Sequence, residues 1–216
     1  LFKYKIAVLA IFVLALTGCG PKPEEELYNI FEDAAKQEKG MFQETSKLES
    51  LEKKNKELYS KILQEGKEDN QPVKALIDEG IQSAKEREQA LSKEHDMLKL
   101  AQDKMKDANQ HMKDFKDEKL EKQAEKVEST YKERYAAFQN MHNSYKKALE
   151  AEKNLYDMLQ KKNEKLKTIS DQVKEVNKLY DDVQSQNEKF NQYTKQYNEE
   201  KIQFYKLAKF KIKEGK

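Results

Sequence analysis

A single cysteine stands at position 19, directly behind Leu16, Thr17 and Gly18. One thiol cannot form a disulfide within the chain, so Cys19 needs another use. Three histidines, His95, His111 and His142, are the next candidates for chemistry. If two helices form a hairpin turning near residue 118, His95 and His142 fall at one level. With Glu94 or Asp96 they could then hold a metal. No His-x3-His pair is present, so exposed histidines on polar faces are the better expectation, with no metal and no cofactor. Residues 180–210 are rich in aromatics: Tyr180, Phe190, Tyr193, Tyr197, Phe204, Tyr205 and Phe210. Asn187, Asn191, Gln192, Gln196 and Asn198 are interleaved with them. Rings beside amides can hold sugars. Phe190, Tyr197 and Phe204 repeat every seven residues and belong in a core; Tyr193 and Tyr205 lie off that register and are the candidates for glycan contact. The C-terminus carries Lys206, Lys209, Lys211, Lys213 and Lys216 against Glu214. Such lysines compensate a helix dipole, or they meet an anionic membrane or another polyanion. There is no phosphate loop, no G-x-S-x-G and no H-E-x-x-H. The carboxylates fall on solvated helix faces, so no catalytic residue is expected and the chain does not read as an enzyme.

The residues before Cys19 say how its thiol would be used. Lys3 and Lys5 precede an apolar run from Ile6 to Leu16. At 11 residues the run is shorter than the roughly 20 a spanning helix needs, so it reads as a signal-peptide core rather than an uncut anchor. Leu16-Thr17-Gly18-Cys19 then resembles the lipobox of bacterial lipoproteins. Small residues let the extended chain enter a peptidase, and the thiol accepts a diacylglyceryl group, which Ser could not. Each buried methylene contributes about 0.8 kcal/mol, so one acyl chain holds marginally and two hold stably. The segments expected are therefore a signal peptide over 1–18, a lipidated Cys with a short linker over 19–23, a helical bundle over 24–212 and a basic tail over 213–216. The linker Gly20-Pro21-Lys22-Pro23 is short and semi-stiff.

Those groups must be positioned by helices. Charged residues make up 38% of the 216 and hydrophobic ones 37%, with 6 Gly and 3 Pro. Long helices burying one stripe each tolerate that balance, and abundant Lys, Glu, Gln, Leu and Ala favour them. No period-2 pattern marks a strand. Leu27, Ala34, Met41, Leu48, Asn55 and Ile62 share a seven-residue register, and Gly66–Pro72 breaks it. Ile77, Ala84, Leu91, Leu98, Met105 and Met112 share the next, weakened locally at Gly80. A turn is expected near Phe115–Leu120. A third stripe runs from Leu120 to Leu159. The pattern lapses over Lys161–Ser170, where Thr168 or Ser170 could cap the fourth helix. Four segments of about 45 residues would each span ~65 Å. The expected fold is all-α: an elongated antiparallel up-and-down bundle of four long helices with coiled-coil-like packing. The alternatives are a three-helix bundle and a long intermolecular coiled coil.

Charge narrows the partners. Residues 1–18 hold two lysines and no acid, so the chain from Cys19 onward keeps 40 side chains of each sign. A neutral polyampholyte is a poor nucleic-acid binder, and nucleic acid is not expected as a partner. Pairs such as Glu49/Lys53, Glu52/Lys56, Glu57/Lys61, Glu118/Lys122 and Glu128/Lys132 stand in the favourable i, i+4 order.

Cys19-Gly20-Pro21-Lys22-Pro23-Glu24-Glu25, followed by Leu27-Tyr28, Phe31-Glu32 and Ala34-Ala35, carries a resemblance. With the Lys/Glu-rich helical body it resembles the YkyA-type cell-wall-binding lipoproteins of Gram-positive bacteria over essentially the whole chain. The resemblance implies a four-helix bundle on the outer face of the cytoplasmic membrane and brings no catalytic residues. The expected function is a membrane-anchored envelope lipoprotein with a non-catalytic binding or structural role, held by membrane lipid through its diacylglyceryl group. Its expected partners are peptidoglycan, another wall polymer or an envelope protein. The alternative is a solute- or metal-binding lipoprotein serving a transporter.

Overall fold

The computed structural model describes residues 21–65, 71–161 and 163–211. Helix α1 spans Pro23–Gln37, and a 3-10 turn over Glu38–Gly40 leads into α2, Met41–Glu65. Helix α3 spans Gln71–Lys106, and the short α4 spans Ala108–Met112. Helices α5, Glu118–Gln160, and α6, Leu166–Leu207, complete the described residues. No strand occurs among the described residues. Among the described residues the fold is an all-α bundle of four long helical segments.

Local chemistry explains the ends of these segments. Pro23 takes the first helical position of α1, where its missing N–H costs nothing, and Glu24, Glu25 and Glu26 follow in the first turn beside the positive end of the dipole. The turn expected near Phe115–Leu120 falls over residues 113–117. Asp117 accepts from the Lys119 N–H at 2.8 Å and so caps the start of α5. Helix α6 begins at Leu166, earlier than the Thr168 or Ser170 cap would allow; the Lys165 carbonyl already accepts from the Ile169 N–H at 3.1 Å. The first register runs through Gly40 without a break in the sequence pattern, yet the helix tightens there. A Cβ on Gly40 would meet Met97 Sδ at 2.8 Å, so the glycine lets the chain approach α3.

The chain separates into two compact units rather than one continuous body. Among the described residues, the first comprises 21–42, Asp96–Ala137 and 189–211; the second comprises those within Gln43–His95 and Phe138–Glu188. Helices α3, α5 and α6 contribute to both. Within the first unit, Leu27, Phe31, Met105, Val127, Tyr131, Tyr197 and Phe204 form a buried core. Phe31 meets Phe204 edge-on at 5.5 Å, and Tyr131 meets Tyr197 at 5.0 Å. Such pairs each add roughly 0.5–1.5 kcal/mol beyond burial. Within the second unit, Leu48, Ala84, Leu91, Tyr145 and Leu149 pack together, and Ile62, Val73, Ile77 and Tyr156 form a neighbouring cluster.

Contacts inside each unit give the topology. In the second unit Lys93 reaches Glu44 while Lys54 reaches Glu79, so α2 and α3 are antiparallel. In the first, Arg134 holds Thr194 while Gln123 holds Glu200, so α5 and α6 are antiparallel.

Candidate functional site

The expected chemistry falls partly outside the described residues. Leu16, Thr17, Gly18 and Cys19 lie before them, and Lys213 and Lys216 after them. What the structure does place is the first helix, which begins four residues after Cys19 in the sequence. Tyr28, in the second turn of α1, packs on Phe210 with ring centroids 4.8 Å apart and on Tyr205 at 5.0 Å. The two ends of the described chain therefore meet. The Tyr28 hydroxyl is buried with no protein partner, and burial, with Glu32 nearby, pushes its pKa up to about 12.

Helix α6 closes there with a built cap. The Phe210 N–H donates to the Tyr205 carbonyl at 3.0 Å, and the Lys209 N–H to that of Lys206 at 3.1 Å. Lys209 has φ of 59°, a left-handed position usually given to glycine. A side chain there costs on the order of 1 kcal/mol. Lys206, Lys209 and Lys211 are all exposed.

Tyr205, expected as a glycan contact, is a core residue instead. It is 1% exposed, and its hydroxyl donates to Glu32 at 2.7 Å. Burial drives that hydroxyl far above its ordinary pKa, so it stays a neutral donor. Its position beside Phe204 explains the correction: a bundle helix buries a stripe wider than one heptad seam, and both neighbours fall inside it. Tyr193 is half-buried, with Asn191 and Gln192 exposed beside it.

The largest departure from the sequence pattern is charge inside the bundle. The chain has two arginines, Arg87 and Arg134, and both are buried. In the first unit, Arg134 Nη1 and Nη2 donate to the two oxygens of Glu38, each at 2.7 Å. Arg134 Nε donates to Thr194, and Tyr131 donates to Glu38 at 3.0 Å. The guanidinium carbon also lies 5.1 Å from the Phe190 ring centre and 5.7 Å from that of Tyr197. Planar, weakly hydrated guanidinium suits such a place better than ammonium. Lys201 sits nearby, 3.7 Å from Glu32, with its pKa lowered by burial against the pull of Glu32 and Glu38.

In the second unit Arg87 pairs with Glu152 and donates to the Tyr180 hydroxyl at 2.7 Å, while that hydroxyl donates to Glu152. Arg87 Nε has no protein partner. Tyr145 donates to Glu52 at 2.6 Å and Tyr156 to Asn55 at 2.8 Å. Gly80 makes room for Tyr156, since a Cβ there would stand 2.4 Å from its ring. Glu94 is also buried and accepts from Thr45. Burial pushes its pKa up to about 7, with Glu44 and Glu52 adding to the rise and Thr45 opposing it.

His95 and His142 do come together, with ring centroids 4.6 Å apart beside Phe138. Among the described residues no group of three or more His, Cys, Asp or Glu is arranged to hold a metal ion. Glu118–Lys122 and Glu128–Lys132 form ion pairs as their spacing implies. Glu52 instead serves Tyr145. No helix among the described residues is long and apolar enough to cross a membrane.

Fold and site define an all-α bundle protein with both described chain ends gathered in one place and two buried arginines paired with carboxylates between helices. The chain belongs to the YkyA family: the family model described as "Putative cell-wall binding lipoprotein" matches residues 22–207. It is similar to the "Uncharacterized lipoprotein YkyA" of Bacillus subtilis (strain 168), with 28% identity over 212 residues, covering 98% of this chain and 95% of that protein. No solved structure matches it.

Proposed function

We propose that this chain is a lipoprotein held at the outer face of the cytoplasmic membrane by lipid on Cys19, and that its bundle contacts cell-wall polymer without catalysing a reaction. The observation that carries the reading is the family match, which begins at Lys22, three residues after a cysteine set in a lipobox-like sequence. The family's description supplies both halves, lipoprotein and wall binding. Signal peptide over 1–18, linker over 19–23 and a folded body thereafter are the segments this function requires.

Glycan contact would fall on the exposed side of α6, where Tyr193 is half-buried and Asn191 and Gln192 are exposed. A half-buried ring is held in place by the bundle and still offers an edge to a sugar, with amides beside it to accept and donate. Co-sedimentation with purified peptidoglycan, with and without its attached wall polymer, tests the binding. Wild-type protein is expected in the pellet, and Tyr193→Ala with Gln192→Ala is expected to weaken retention while the helical circular dichroism stays unchanged. Absence of wild-type protein from both pellets would remove the wall-binding half. Cys19→Ser, which cannot take the thioether, tests the anchor by its release from the membrane fraction.

A further inference from the structure

We propose that one end of the first unit is a lysine-lined face that rests on an anionic lipid surface. The proposal rests on the reading of Cys19 as the anchor point, and it assigns what the protein does immediately beside that anchor.

Three pieces of chain meet at this end. The start of α1 packs on Phe210 through Tyr28. The turn before α5 joins them through Phe115, whose ring lies 6.3 Å from that of Phe204. Lys22 is exposed on the first piece; Lys113, Lys116 and Lys119 are exposed on the turn; Lys206, Lys209 and Lys211 are exposed on the end of α6. These residues are remote in sequence, and only the fold gathers them.

Several acids at the same end are engaged. Glu24, Glu25 and Glu26 are half-buried in the first turn of α1, where the dipole holds them. Asp117 is engaged in capping Lys119, and Glu118 lies 3.8 Å from Lys122. Asp114, Asp117 and Glu118 are the exposed acids over residues 113–119, against the exposed Lys113, Lys116 and Lys119. Long lysine stems carry their charge further out than carboxylates do, so the outermost layer is cationic.

Two further observations select a membrane. Cys19 stands three residues from Lys22, a reach of at most about 11 Å, so a lipid on that cysteine holds this end within roughly a Debye length or two of the headgroups. Lys209 occupies a strained left-handed position that glycine would fill at no cost. A lysine kept at a strained position fits a use for its charge.

The test places the lipidated chain, from Cys19 onward, on vesicles of phosphatidylcholine alone, or mixed with phosphatidylglycerol. A water-soluble acetylating reagent, read by peptide mass spectrometry, reports each lysine. On anionic vesicles at low salt, Lys113, Lys116, Lys119, Lys206 and Lys209 are expected to react roughly fivefold more slowly than on neutral ones. The difference is expected to vanish at about 1 M salt. Lys161, Lys165 and Lys167 of the second unit should react alike on both. Charge reversal by Lys206→Glu, Lys209→Glu and Lys211→Glu should abolish protection of Lys113, Lys116 and Lys119. Lys209→Gly should raise the melting temperature while reducing protection, which separates a structural role from contact.

Equal reactivity on the two vesicles would overturn the proposal. So would protection that arises on neutral vesicles only when a purified teichoic-acid polyphosphate is added, since that assigns the face to wall polymer. Failure to float with neutral vesicles would sink the anchor reading alone. The lysine face is then judged by flotation with anionic vesicles at low salt, where absence overturns it.

Discussion

Each unit of the bundle buries one arginine, and the two are satisfied differently. Arg134 in the first unit is bonded at both Nη atoms and Nε, and aromatic rings surround it. Its partner Glu38 keeps 18% of its side chain exposed. Arg87 in the second unit leaves Nε without a protein partner, and its partner Glu152 is 4% exposed. The second unit also buries Glu94, which has a hydroxyl donor and, among the described residues, no cation bonded to it. The first unit thus compensates its charges, while the second holds a carboxyl whose neutral form suits the site better. That difference teaches where pH should act.

Substitutions can break or sharpen this contrast. The largest effect is expected for Arg87→Leu, which strands the buried Glu152 and should cost roughly 3–5 kcal/mol of stability by denaturant unfolding. Replacing Glu152 with Leu as well should recover much of that loss. Arg134→Leu should cost less, roughly 2–4 kcal/mol, because Glu38 can turn toward water. Equal losses at the two sites would erase the contrast.

Glu94→Gln is expected to come next. The folded pKa of about 7 lies above the ordinary carboxyl value, so this group's contribution is complete below about pH 4.5 and is lost as pH rises through 7. At pH 8 the amide variant should be more stable than wild type by roughly 2–3 kcal/mol, and near pH 4 the two should converge. Parallel stability–pH curves would refute the assignment.

The two tight glycines give the smallest and most local comparison. Gly80→Ala should cost roughly 1–2 kcal/mol, because the new methyl meets an aromatic ring fixed by its bond to Asn55. Gly40→Ala meets the flexible end of Met97 and gains helix propensity, so thermal melting should show a change near zero.

The seams were legible in the sequence because a heptad repeats the same contact. All six residues of the register from Ile77 to Met112 are buried. In the first register five are buried and Asn55 is half-buried, where it accepts from Tyr156. The break around 113–117 was legible through charge and loss of the stripe, while the break read at Gly66–Pro72 falls mostly on residues 66–70, outside the described ones. The polar interior was not. A heptad marks the centre of a buried face and says nothing of its flanks, and Arg87, Arg134 and Tyr205 lie on those flanks. One signal was present: two arginines among 42 basic residues, each able to make the planar paired contact that lysine cannot. The partition into two units left no mark, since α3, α5 and α6 continue through it. The chemistry proposed for Cys19 was read from the sequence alone, while the gathering of Lys113, Lys116 and Lys119 beside Lys206 required the fold.

Whether a lipid holds this bundle at the envelope is tested most directly by the intact mass of the protein extracted from membranes with detergent. The expected product begins at Cys19 and carries the added mass of a diacylglyceryl group on that residue. A mature chain that begins elsewhere, or one that begins at Cys19 with a free thiol, would contradict it.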